Sequence, residues 1–188
     1  GVVAALRAAC ERNGFFYLVN HGIPIELMRE VVAQGRRLFS QPAEFKEAIA
    51  AGHSSGLGYG RMGGKALHGG FGAPVKEEFY FARENIPGSD DSNRWPADLP
   101  GFREPLTDYL ERMHALAELA MSLLAETLGM APDHFAAFCE EPLANCRIAR
   151  YPPEGAEAGT HCDFGALTFL LQDAMPGLQV FDRVTGGW

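Results

Sequence analysis

The stretch with the most chemical content is Thr160-His161-Cys162-Asp163, which sets an imidazole and a carboxylate two positions apart. On an extended backbone alternate side chains share a face, so His161 and Asp163 point one way and Cys162 the other. A neutral imidazole beside a hard carboxylate oxygen suits Fe(II), Mn(II) or Zn(II). Two His and one carboxylate on one side of such an ion leave three positions open, enough for oxygen and a bidentate small molecule. By spacing alone, the same residues also describe a turn carrying a surface His and Asp.

The flanking sequence adds partners. Tyr151 ends the strand expected before His161, and a phenol there could hydrogen-bond a carboxylate lying against the metal. Arg147 shares its parity, so it should face the same way and pair with a carboxylate inside the fold. After Asp163, Gly165–Gln172 reads as a mostly apolar strand with Leu167, Phe169 and Leu171 on one face. Apolar walls around a few polar groups make a small-molecule pocket and keep water from a reactive oxidant. Phe164 is a candidate pocket residue, with core packing the competing reading.

The elements that must position these residues can be read by period. Residues 2–13 have a helical pattern that stops at Gly14. Phe15–Val19 is an aromatic and β-branched run, expected to be a strand, and His21 sits in the turn after it with a structural role. Pro24 opens a second helix with Ile25, Met28, Val31, Val32, Leu38 and Phe39 on one face. Residues 52–72 include nine glycines and no GxxxxGK[ST], so a mobile lid is expected rather than a phosphate loop. Glu78–Phe81 reads as a strand, and Lys76, Glu77 and Glu78 as a solvated charged edge.

A long helix runs from about Arg103 to Leu128, with Leu106, Leu110, Met113, Ala117, Ala120, Leu124 and Leu128 as a core stripe and Gly129 as its stop. Pro132–Phe138 is a short helix. Strands are expected at Asn145–Tyr151, Gly165–Leu171 and Leu178–Asp182. Helices first and strands later suggest a helical layer backing an antiparallel sheet or barrel.

Bulk properties narrow the function. The chain has 188 residues, enough for one domain with a real core. Its formal net charge of −8 argues against a nucleic-acid partner and against a polybasic membrane anchor. No apolar run approaches the roughly 20 residues that cross a bilayer. Cys10, Cys139, Cys146 and Cys162 form no CxxC pair, which fits a reduced cytosolic setting with the thiols as buried small hydrophobes. The chain starts at Gly1 within a helical pattern and stops on the turn Gly186-Gly187-Trp188, so it reads as a piece cut at both ends.

Several motifs in order resemble the isopenicillin N synthase-like branch of the 2-oxoglutarate- and iron(II)-dependent oxygenases. They are Gly14–Ile23, Lys76-Glu77-Glu78-Phe79-Tyr80, Asn93-Arg94-Trp95-Pro96, Leu99-Pro100-Gly101-Phe102, Arg150-Tyr151-Pro152-Pro153, His161–Thr168 and Gly177-Leu178-Gln179-Val180. The resemblance implies an α+β fold with a double-stranded β-helix core, a jelly-roll of cupin type, under an N-terminal helical layer. Residues 1–140 would be the helical and mixed region and 141–188 the start of the core. It implies His161 and Asp163 as iron ligands, Tyr151 on the 2-oxoglutarate carboxylate, and Fe(II), 2-oxoglutarate and O2 as the reaction's cofactor and co-substrates.

The family's distal His and its Arg-x-Ser pair are expected beyond Trp188. None of His21, His53, His68, His114 or His134 matches the third ligand. The implied activity is oxidation of a small organic molecule, most often hydroxylation, with 2-oxoglutarate converted to succinate. Ala149 stands where many members have Asn, which keeps open an oxidase of the isopenicillin N synthase type that takes its electrons from substrate. A non-catalytic barrel that binds a small molecule is the reading from another class.

Overall fold

The structure is a computed structural model that describes residues 1–51, 56–62, 76–84, 93–140, 144–152, 161–163, 165–175 and 177–188. Most of the expected lid, at 52–55 and 63–72, and Phe164 lie outside these residues. The elements are α1 (Val2–Arg12), α2 (Ile25–Phe39), α3 (Ala43–Glu47), β1 (Gly58–Met62), β2 (Lys76–Ala82), α4 (Arg103–Thr127), α5 (Ala136–Cys139) and β3 (Asn145–Arg150). They fall into two compact units. One comprises Gly1–Ile23, Arg112–Pro142 and Phe169–Trp188, the other Pro24–Glu111 and Leu143–Thr168. Among the described residues no helix is long and apolar enough to cross a membrane.

In the first unit α1 stops where expected. Gly14 takes φ 70°, and its N–H donates to the Ala9 carbonyl at 3.0 Å. The segment that follows departs from expectation. Phe15–Val19 joins no ladder among the described residues, and Tyr17 is 97% exposed. Gly165–Leu171 and Leu178–Asp182 likewise form no strand, apart from a single bridge between Asp182 and Gly187. High β-propensity makes a strand only when a partner accepts the ladder hydrogen bonds. The Asp182 carboxylate instead accepts from the Val184 and Thr185 backbone N–H groups and pairs with Arg12. Together these hold it below the usual carboxylate range.

The second unit holds the core. β1, β2 and β3 form an antiparallel sheet in that order. Gly58 faces Tyr80 and Gly60 faces Glu78 across the first pair; Glu78 faces Ala149 and Tyr80 faces Arg147 across the second. One side of this sheet carries Tyr59, Phe79 and Phe81, which pack with Leu38 and Phe39 of α2, Leu99, Phe102 and the α4 residues Leu106 and Leu110. Cys146 and Ile148 join them from β3. Each fully buried Phe or Leu here contributes about 2 kcal/mol through burial alone. Phe79 meets Phe102 edge-on at 5.5 Å between ring centroids, and Phe81 meets Trp95 at 5.4 Å. Asn93 finishes β2 by accepting from the Ala82 N–H at 2.9 Å and donating to its carbonyl at 2.8 Å.

Two expectations about core and loop need revision. Of the α4 stripe only Leu106 and Leu110 are buried, while Leu128 is exposed. The glycine-rich region contains β1, because Gly58 at φ 122° lets the strand pass the chain at Ile49–Ala51. A Cβ there would stand 2.7 Å from the Ile49 carbonyl oxygen. That approach lets the Ala51 N–H donate to the Tyr59 carbonyl, and the Tyr59 N–H to the Ile49 carbonyl, both at 2.8 Å.

Candidate functional site

The two faces of β2 differ in chemistry, and the alternation of the strand causes it. Glu77 falls on the side of Phe79 and Phe81. It was expected in solvent but is 8% exposed. Its carboxylate accepts from Lys46 Nζ at 2.5 Å, Tyr59 Oη at 2.7 Å and Arg150 Nη1 at 2.7 Å. Burial raises the Glu77 pKa. The hydrogen bonds from Lys46 and Tyr59, the Lys46 charge and the Arg150 bond outweigh that and hold it below the ordinary value. Burial, with the bond to Glu77, pushes the Tyr59 phenol up. Lys46, Tyr59 and Glu77, with Ala43 and Arg61, line a cavity of about 230 Å³.

The opposite side carries Lys76, Glu78 and Tyr80 from β2, and Arg147 and Ala149 from β3; Tyr151 continues their alternation just past the strand. Glu78, also expected in solvent, is 2% exposed. Its Oε1 lies 2.5 Å from Lys76 Nζ and 3.3 Å from Arg147 Nη1. Neither cation meets that oxygen with hydrogen-bond geometry, so it is compensated by charge without a directional bond. Arg147 therefore does find a carboxylate, and Glu78 supplies it. Arg147 also donates to the Tyr80 hydroxyl at 3.4 Å and lies over that ring at 5.9 Å. Lys76 sits over the Tyr151 ring at 5.3 Å. Glu77 and Glu78 are thus buried on opposite faces, and on the Glu77 face Lys46 and Arg150, 31 and 73 positions away in the chain, replace water.

His161 and Asp163 are brought together as expected. Nε2 of the first lies 3.4 Å from Oδ1 of the second, with side chains 58% and 45% exposed. Two donors each about 2.1 Å from one divalent ion stand roughly 3.0–3.4 Å apart, so the pair has the bite and donor types to share one. Among the described residues no group of three His, Cys, Asp or Glu could hold a metal. The other described histidines are engaged elsewhere. His21 Nδ1 accepts from the Ile23 N–H at 3.2 Å, His114 pairs with Glu118 on α4, and His134 stacks on Phe135. The thiols are less uniform than expected: Cys10 and Cys162 are exposed, and Cys139 and Cys146 are half-buried. Burial pushes the Cys146 thiol up to about 12.

Sequence reasoning missed Lys76, Glu78 and the Lys46–Glu77–Tyr59–Arg150 group. The signal lay in alternation. A charged pair continued by Phe79-Tyr80-Phe81 must turn one carboxylate to each face.

Residues 1–98 match the family described as non-haem dioxygenase in morphine synthesis, N-terminal. The chain is 34% identical to the 2-oxoglutarate-Fe(II) type oxidoreductase hxnY of Emericella nidulans, over all of this chain and 60% of that protein. It therefore spans less than two thirds of that relative's length. A putative 2OG-Fe(II) oxygenase family protein from Caulobacter crescentus superposes with TM-score 0.74 over 84% of this chain and 53% of its own, at 23% identity, a likeness of fold. The crystal structure of JOX2 in complex with 2OG, Fe and JA superposes with TM-score 0.69 over 80% of this chain and 44% of its own, at 29% identity.

Proposed function

The chain belongs to the isopenicillin N synthase-like family of 2-oxoglutarate- and iron(II)-dependent oxygenases, and on that premise we propose that the whole protein oxidises a small organic molecule with 2-oxoglutarate as co-substrate. The observation that carries this reading is the His161–Asp163 pair, whose nitrogen and oxygen lie 3.4 Å apart in a chain of this family.

In this reading His161 and Asp163 hold iron(II) by an imidazole nitrogen and a carboxylate oxygen. Bound iron supplies the redox chemistry that joins O2 and 2-oxoglutarate to substrate, giving CO2, succinate and hydroxylated product. Tyr151 presents its phenol to a carboxylate of 2-oxoglutarate, and Phe164 walls the substrate side. Residues 1–140 form the helical and mixed region and 141–188 the start of a double-stranded β-helix core. The antiparallel sheet backed by α2 and α4 supports that architecture. The protein works in a reduced compartment such as the cytosol, on a small molecule rather than on nucleic acid or membrane.

Oxygen uptake and succinate formation by the full-length protein, with and without 2-oxoglutarate, test this function. Succinate should form only when 2-oxoglutarate is present, and His161→Ala or Asp163→Ala should lower it by at least about a hundredfold. Substrate oxidation that persists without 2-oxoglutarate would assign the protein to the oxidase type. Full activity in both variants would remove the two residues from the metal site.

A further inference from the structure

Tyr151 stands where the sheet stops holding the chain. Among the described residues the β2–β3 ladder ends at the pair Glu77–Arg150, and Tyr151 is the next residue. Pro152 follows it and has no N–H with which to carry a ladder on. A proline also keeps the residue before it extended, so the backbone of Tyr151 is restricted while its ring depends on other contacts. Tyr151 is exposed, so burial in a core does not set that ring either.

Lys76 supplies a contact to it. Continuing the register one step beyond Glu77–Arg150 sets Lys76 opposite Tyr151, and such cross-strand residues are near neighbours on one face. Lys76 Nζ lies 5.3 Å from the centroid of the Tyr151 ring, within the reach of about 6 Å over which a ring face attracts an ammonium. The two partners are unequally anchored. Lys76 belongs to β2 and is paired on its other side with Met62 of β1. Its side chain is only 17% exposed, and its Nζ lies 2.5 Å from Oε1 of the buried Glu78, which Arg147 approaches to 3.3 Å. The ammonium is therefore set by the sheet, and the ring past the sheet's end rests against it. The opposite face repeats the arrangement one residue earlier, where Arg150 donates to Oε2 of Glu77 at 2.7 Å. Consecutive residues of β2 thus hold consecutive residues at the end of β3.

We propose that Lys76 is a positioning residue for Tyr151: its ammonium, fixed by Glu78, holds the ring so that the phenol stays aimed at the 2-oxoglutarate carboxylate. The inference rests on the reading that Tyr151 meets this co-substrate. A hydrogen-bond donor whose direction is set before the ligand arrives loses less freedom on binding it than one that must be ordered at that moment. Lys76 acts through the ring, and Glu78 acts through Lys76.

The test is a double-mutant cycle on 2-oxoglutarate binding, measured by calorimetry on the full-length protein loaded with Mn(II), so that no turnover intervenes. Tyr151→Phe keeps the ring and removes the hydroxyl, and should weaken 2-oxoglutarate about tenfold. Lys76→Met keeps the stem and removes the charge, and should weaken it about threefold to tenfold. In protein that already carries Tyr151→Phe, Lys76→Met should have almost no further effect, because the group it aims is gone. Lys76→Arg, which keeps a cation able to lie over the ring, should restore most of the affinity. Equal losses from Lys76→Met with and without the Tyr151 hydroxyl would show that the lysine acts on the ligand or the fold independently of the phenol, and would overturn the proposal. If Tyr151→Phe weakens binding and Lys76→Met does not, the inference alone fails. If Tyr151→Phe binds as wild type does, the Tyr151 reading fails and this inference with it. Should Lys76→Met melt too low to measure, combining it with Glu78→Gln removes the charge left behind, and the same cycle is run with the same expected and overturning results.

Discussion

Glu77 and Glu78 are consecutive, chemically identical and both buried, yet their environments differ. Glu77 sits on the apolar side of the sheet, where three donors at 2.5–2.7 Å satisfy both of its oxygens. Glu78 sits on the other side, where two cations neutralise its Oε1 without a directional bond. A saturated carboxylate ties elements together, here α3, β1, β2 and β3, and has nothing left to offer a ligand. The Oε1 of Glu78 is instead compensated by the charges of Lys76 and Arg147. The difference separates a carboxylate that joins four elements by directional bonds from one whose Oε1 is neutralised by neighbouring charge.

Replacing each in turn should break or confirm that division. Glu77→Ala leaves Lys46 and the Tyr59 hydroxyl buried without their acceptor, and should cost the largest amount, about 3 kcal/mol in urea unfolding at pH 7. Because Glu77 titrates below its ordinary value of 4.5 when folded, its contribution is present above that pH. It is lost as pH falls through the lower folded value. The stability gap between Glu77→Ala and wild type should therefore narrow below about pH 4. A gap independent of pH would mean the side chain matters only for packing.

Gly58→Ala should follow, at about 2 kcal/mol, since it combines positive φ with a backbone clash at Ile49. Glu78→Gln should cost only about 1 kcal/mol, because Lys76 and Arg147 both reach solvent and can be rehydrated. If it cost as much as Glu77→Ala, the two faces would be equally structural and the comparison would fail. Gly60→Ala, on the open face, should change melting by under about 0.5 kcal/mol.

The sequence revealed helices and punctuation well. α1, α2 and α4, the stops at Gly14 and Gly129, and the strands β2 and β3 are local patterns that neighbours in the chain determine. It revealed the His161–Asp163 spacing for the same reason. It did not reveal what depends on distant partners. Lys46, Arg147 and Arg150 turn a charge run into two buried clusters, and nothing at positions 76–78 alone announces them. Three expected strands failed in the converse way. Phe15–Val19, Gly165–Leu171 and Leu178–Asp182 have the composition of strands and no ladder partner among the described residues beyond the bridge at Asp182. β1 was hidden because its glycines, which read as a loop, are what let it approach Ile49.

The alternation of β2 also constrains how this protein can change. Odd positions from Glu77 to Phe81 belong to the interior against the helices, and even positions from Lys76 to Tyr80 to the opposite side. A single inserted or deleted residue would exchange the two sets, sending Glu78 and Tyr80 against Phe102 and Leu106 and turning Phe79 and Phe81 outward. Substitution can adjust either set independently, but length can drift only in steps of two. The strand behaves as two interleaved texts in one reading frame, and evolution can edit the words of each without ever shifting the frame.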